Sequence, residues 1–436
     1  MKFTRTGQLY FALTSLVLAS LACSLVEAPA VTEGPTATAI PSAVVAEPTQ
    51  EQKPEFGEVL LEEGFADNSN NWYVGADAET ESRVENGKYK VRVLIPDDSF
   101  YWFVPPVSVS EVDMTVDTEF TEGAPENAAY GFLCHFKDGD NYHRFRIAAD
   151  GTYAIDKSVS AEQSYIFEWT KTNAINQGTG ITNKIRAICS ENHLTLYIND
   201  IFVADTVDTS LSGGSFNLMV GAYANKQEDK NPIGVNFSNL IVRKPLTWER
   251  PTEVLMTDSF EDNNNSWDVF DENGNSAQIE NGQLVMRVVD TDSVYRVWPG
   301  ISLSNVDIIF DAVIQEGTQS NVSYGVACRY VNNENYYSFV LDGDGYYTLK
   351  RKINGTLENI IDWTQSSALK VGVGQTNRIR VVCSGSTLEL YANEQLLISS
   401  QDTNLTAGGF ALQAGRFAKD DQSVSVTFDN VEVKYP

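Results

Sequence analysis

The sequence is written twice, and this duplication limits the fold more than any other feature of the 436 residues. Glu58-Val59-Leu60-Leu61, followed by Phe65, Asp67 and Trp72, returns 195 residues later as Glu253-Val254-Leu255-Met256, then Phe260, Asp262 and Trp267. After one deletion the offset becomes 194: Tyr130-Gly131 with Cys134 matches Tyr324-Gly325 with Cys328, and Asn141-Tyr142 matches Asn335-Tyr336. Ile185, Arg186 and Cys189 likewise match Ile379, Arg380 and Cys383. Residues 57–245 form the first copy, 246–251 a short linker bracketed by prolines, and 252–436 the second copy. Each copy carries a formal charge of −13, so neither is a charged appendage to the other.

Within each copy the hydrophobic period is two. Gln283-Leu284-Val285-Met286-Arg287-Val288 and Thr387-Leu388-Glu389-Leu390-Tyr391-Ala392 alternate, and turn clusters such as Glu280-Asn281-Gly282 and Asp342-Gly343-Asp344-Gly345 punctuate the runs. No stretch holds a 3.6 period beyond a turn or two. About 185 residues with roughly a dozen short strands predicts an all-β chain of two tandem antiparallel β-sandwiches.

The first residues read as an address. Lys2 and Arg5 precede an apolar run from Leu9 to Ala22, too short to span a bilayer but of signal-peptide length, so residues 1–22 are expected to be a signal peptide. The run ends Ala19-Ser20-Leu21-Ala22-Cys23, which resembles a bacterial lipobox and implies lipidation of Cys23; plain secretory cleavage after Ala22 or Ala30 stays open. Residues 23–56, rich in Pro, Thr, Ala and Glu, read as a disordered tether. The expected location is the bacterial cell envelope, outside the cytoplasm, with the lipid anchor as the only membrane contact. The other four cysteines form two pairs with the same separation, 55 residues, and in an oxidising compartment Cys134–Cys189 and Cys328–Cys383 are expected as disulfides. The alternative is two buried thiols per copy.

Charge and composition remove several functions. With 31 Lys+Arg against 59 Asp+Glu, the net charge of −28 opposes nucleic acid, whose affinity depends on clustered cations. All three histidines (His135, His143 and His193) lie in the first copy, which excludes histidine catalysis common to both. The succession Phe-x-Asp…Trp, Glu-Asn-Gly, Tyr-Gly-x-x-Cys, Asn-Tyr, Asp-Gly-x-Tyr and Ile-Arg-x-x-Cys…Leu-Tyr-x-Asn resembles concanavalin A-like or laminin-G-like jelly rolls. The nearest branch is the bacterial 3-keto-disaccharide hydrolase-like domain. That resemblance covers both copies and implies a jelly-roll fold that elsewhere carries lectins, adhesion modules and glycoside hydrolases; fold alone does not license a reaction.

Candidate site residues follow. Retaining glycosidases of this fold place paired glutamates on one strand. Glu111-Val112-Asp113-Met114-Thr115-Val116-Asp117 has only the first, and Asn305-Val306-Asp307-Ile308-Ile309-Phe310-Asp311 has neither, so no catalytic residue is assigned. On the strand at 141–147, Phe145 and Ile147 share parity with His143 toward the core. Tyr142, Arg144 and Arg146 face the other way, with Tyr336 at the matching place in the second copy. If that side lines the concave face of a jelly roll, these four residues are the expected sugar contacts; the competing reading is half-buried sheet aromatics. Trp72 and Trp267 read as core plugs. Asp67 and Asp262 are the first candidates for a structural calcium, against the commoner role of turn formers. No other cofactor is implied.

The expected function is an exported lipoprotein whose two non-catalytic modules bind extracellular glycan or surface protein. The alternatives left open are an enzyme acting on oxidised disaccharides and a structural cell-envelope assembly module.

Overall fold

The computed structural model describes residues 56–95, 99–223, 231–248, 254–417 and 423–436. The signal peptide, Cys23 and nearly all of the tether lie outside them, as do residues 249–251 of the linker. The described residues are all-β: fifteen strands from Val59 to Arg243 and sixteen from Val254 to Lys434, more than the dozen per copy that turn spacing predicts, with two single-turn 3₁₀ segments. No described helix is long and apolar enough to cross a membrane.

Each copy is an antiparallel sandwich. In the first, a six-stranded sheet (in spatial order Glu162–Lys171, Thr152–Val159, Asn141–Ile147, Ala128–Asp138, Ser215–Ala222, Ser99–Phe103) packs on a larger sheet centred on Val112–Glu122, Thr182–Ser190 and Ile233–Arg243. The second repeats the order with Thr356–Gln365, Tyr346–Ile353, Asn335–Asp342, Val322–Asn332, Gly409–Arg416 and Ser293–Val297. Period-two alternation sends Tyr130, Phe132 and Phe145 inward in one copy, and Tyr324, Val326 and Phe339 in the other. The disulfides Cys134–Cys189 and Cys328–Cys383 close across the two layers, with Cα separations of 6.6 and 6.7 Å.

The repeated motifs now have causes. Trp72 and Trp267 are core plugs, each 2% exposed. The indole N–H of Trp72 donates to Glu63 (2.9 Å), whose carboxylate also accepts from the Phe65 amide (2.6 Å) and Asn70 (2.7 Å). In the second copy Asp258 accepts from Trp267 (2.7 Å), the Phe260 amide (2.7 Å) and Asn265 (2.8 Å). Both phenylalanines take left-handed backbone, φ 53°, which turns the chain around the buried acid. The glycine of Tyr-Gly is steric: a Cβ at Gly131 would stand 2.4 Å from the Phe145 carbonyl oxygen, and one at Gly325 only 2.1 Å from that of Phe339.

The copies meet through backbone as well as side chains. The strand Ser302–Leu303 of the second copy pairs in parallel with Ile201–Val207 of the first, Ala204 opposite Ser302 and Asp205 opposite Leu303, and so covers a sheet edge. Around it, Tyr153 donates to Ser302 (3.0 Å), Thr206 and Ser304 share a hydrogen bond (2.7 Å), and Trp248 stacks on His193 at 3.9 Å.

Candidate functional site

The six-stranded sheet of each copy turns one face to the core and one away, and the residues expected to touch sugar are on the outward face. In the first copy Tyr142, Leu133 and Met219 form a small apolar cluster there, separate from the main core. Cross-strand register aligns Asn217, Leu133, Arg144 and Asp156 in one row. Arg144 donates to Asp156 (2.9 Å), Arg146 forms an ion pair with the same carboxylate, and both guanidiniums donate to the Tyr223 hydroxyl (3.1 and 3.2 Å). Arg144 also lies over Phe100 and Arg146 over Trp169, at 4.6 and 4.7 Å.

This revises the accessibility of the expected contacts. Tyr142 is fully buried under Phe100, and both arginines are 4% exposed. The parity argument places them on the outward face, yet neighbouring aromatics cover them and both arginines pair with Asp156. They are a closed polar knot in this structure and offer no open stacking surface.

The second copy builds the same face from different chemistry. Arg144, Arg146 and Asp156 are replaced by Ser338, Val340 and Lys350 at the 194-residue offset. Tyr336 is 7% exposed, with the Arg296 guanidinium 4.2 Å above its ring. Tyr336, Tyr330 and Trp298 follow one another at 5.9 Å steps. Gln413 donates to Ser338 (2.7 Å). Lys350 lies 5.3 Å from the Trp363 ring, and burial there pushes its ammonium below its ordinary value.

Beside each sheet, at its edge strand, is a pocket that sequence reading did not anticipate. In the first copy it measures about 810 Å³ and is lined by Asn71, Tyr73, Asp77, Tyr101, Trp102 and Val104, among others. Tyr73 is 56% and Trp102 42% exposed. The equivalent pocket of the second copy is smaller, about 350 Å³, and includes Asp268, Glu272, Tyr295, Arg296, Trp298 and Tyr330. In the second copy the Asp268 amide donates to the Trp298 carbonyl (3.0 Å), a hydrogen bond between two residues of the pocket lining. The exposed Tyr73 and Trp102 carried no sequence signal, since neither stands in a repeated motif.

The other candidates make local contacts. Asp67 accepts from the Ser69 amide (2.8 Å), and Asp262 from the Asn264 amide (2.9 Å) and side chain (2.6 Å), so both form turns at the surface. Among the described residues the one group with metal-ligand geometry is Cys134, His135 and His143, and the Cys134 sulfur is already bonded to Cys189. Asp113 and Asp307 hold bidentate pairs with Arg186 and Arg380, at 2.7–2.8 Å.

The structure does gather histidines that the sequence left apart. His135 contacts His143 (2.9 Å), His143 contacts Asp208 (3.1 Å), and Lys157 donates to Asp208 (2.5 Å). Burial and the neighbouring His143 push His135 down to about 4. Burial alone would raise Asp208, but hydrogen bonds from His143, Lys157 and Ser210 hold it far below the usual carboxylate range. The second copy keeps the acid as Asp402, receiving Tyr337 (2.5 Å) and Arg351 (2.6 Å). A ring of donors around one carboxylate, buried at Asp208 and partly buried at Asp402, is therefore common to both copies, whereas its histidines are not.

No family model and no curated protein matches the chain. Solved structures of similar fold include the carbohydrate binding module CBM66 from Bacillus subtilis (15% identity, 38% of this chain and 94% of that one, TM-score 0.32). LamAcat from Zobellia galactanivorans (9% identity, 42% and 98%, TM-score 0.32) and sheep galectin-11 (11% identity, 34% and 99%, TM-score 0.24) are others. These likenesses describe architecture alone.

Proposed function

We propose that this chain is an exported, lipid-anchored protein whose two sandwiches are non-catalytic modules that bind extracellular glycan. The observation carrying this reading is the edge pocket found at the same place in both copies, open in the first with Tyr73 and Trp102 on its walls. Exposed aromatic rings beside polar groups suit sugar C–H faces and hydroxyls. A non-catalytic role is supported by the state of the carboxylates: Asp156 is neutralised by two arginines and Asp113 is locked to Arg186. Two modules joined through a paired strand would gain avidity on a repetitive polymer. Disulfides across both sandwiches suit an extracytoplasmic site.

The test is binding to plant, microbial and host polysaccharides by affinity electrophoresis. Tyr73→Ala and Trp102→Ala are each expected to weaken the best ligand about tenfold, the loss of one stacking contact. Absence of binding across the panel, or binding indifferent to both substitutions, overturns the reading.

A further inference from the structure

We propose that the outward face of the second copy's six-stranded sheet is a site for an acidic saccharide, with Arg296 and Lys350 receiving its carboxylate or sulfate groups. The inference rests on the glycan-binding reading above and names the ligand class for one copy.

The argument is a charge inversion between equivalent positions. In the first copy, register pairs Arg144 with Asp156, and that carboxylate forms ion pairs with both arginines of the face. In the second, the same register pairs Ser338 with Lys350, so a cation stands where the acid stood. Neither Lys350 nor Arg296 has a carboxylate within ion-pair distance among the described residues, in a copy with a net charge of −13. An unpaired cation held against aromatic rings has lost water without gaining an anion, and a ligand carboxylate or sulfate restores that partner.

The surroundings suit a sugar. Arg296, on the edge strand Ser293–Val297 four strands from that of Lys350, reaches over Tyr336 on the strand next to Lys350, and Lys350 lies over Trp363, which is 37% exposed. Between them, Gln413 (1% exposed) holds Ser338 through its amide N–H and leaves its carbonyl oxygen without a partner, an acceptor for a hydroxyl. The Arg296 Nε–H is likewise buried and unpartnered, a donor in wait of an acceptor. Arg296 also lines the adjoining edge pocket, whose walls carry Asp268 and Glu272, whereas Lys350 lies outside that pocket.

The experiment uses the purified full-length protein with short oligogalacturonides, sulfated dextran, and neutral malto-oligosaccharides and dextran of matched length. The expected result is preference for an acidic probe over its neutral match, weakening with salt despite the protein's own negative charge. Lys350→Ala and Arg296→Ala should each lower acidic-probe affinity by about tenfold or more, and Lys350→Arg should retain it. Preference for oligogalacturonide identifies uronate, and preference for sulfated dextran identifies sulfate. Thermal unfolding of each variant at the wild-type temperature separates a lost contact from a lost fold. If neutral probes bind through Trp102 while acidic probes gain nothing, the acidic site is overturned and the general reading stands; if no probe of either kind binds, both fall.

Discussion

At the scale of residues, the buried acid beneath each tryptophan matters most. Glu63 takes hydrogen bonds from an indole, a backbone amide and a side-chain amide in a nearly closed site. Removing it leaves three donors without an acceptor, so Glu63→Ala should cost roughly 3 kcal/mol or more in urea unfolding. Asp258→Ala should cost about the same in the second copy, for the same reason. Trp72 and Trp267 were readable as core plugs because a large aromatic recurred at a fixed place in both copies. Their acids were not, since a Glu in one copy and an Asp in the other look like ordinary surface charge until the loop folds over them. Tyr142 shows the converse: alternation assigns its face correctly, but only Phe100 and its neighbours in space decide that it is covered.

Elements carry the link between layers. Cys134 lies on a strand of the six-stranded sheet and Cys189 on the larger sheet, 55 residues apart. Closing a loop of that length removes denatured-state entropy worth about 4 kcal/mol, so Cys134→Ala with Cys189→Ala should lower stability by about that amount in chemical denaturation. The pairing and the strand alternation were both legible, because period two and a repeated spacing are one-dimensional signals. The edge pockets were not. Their walls come from the turn after Trp72 or Trp267 and from the strands Ser99–Phe103 and Ser293–Val297, far apart in the chain and joined only by sheet closure.

The molecule as a whole is held across its duplication by the parallel pairing of Ser302–Leu303 with Ile201–Val207. Asp205 sits in that seam. Burial pushes its carboxyl up to about 7, against hydrogen bonds from Thr195 and Tyr435 that pull it down. A raised folded-state value means that the native protein holds the proton more tightly than the unfolded chain. The stabilisation is complete below the ordinary value of 3.8 and is lost as pH rises through about 7. Compared with Asp205→Asn, the wild type should therefore lose stability between about pH 5 and pH 8, by an amount on the order of a few kcal/mol. Urea midpoints of both proteins at the two pH values check this; parallel midpoints would count against a buried, protonated Asp205. By itself the sequence determined the duplication, the all-β class, the cysteine pairs and the inward face of each strand, because local period and repeated spacing encode them. Which outward side chains are covered, which carboxylates are paired, and which rings lie against Lys350 and Arg296 were decided only by tertiary structure. Those properties depend on cross-strand neighbours that register, not sequence distance, brings together.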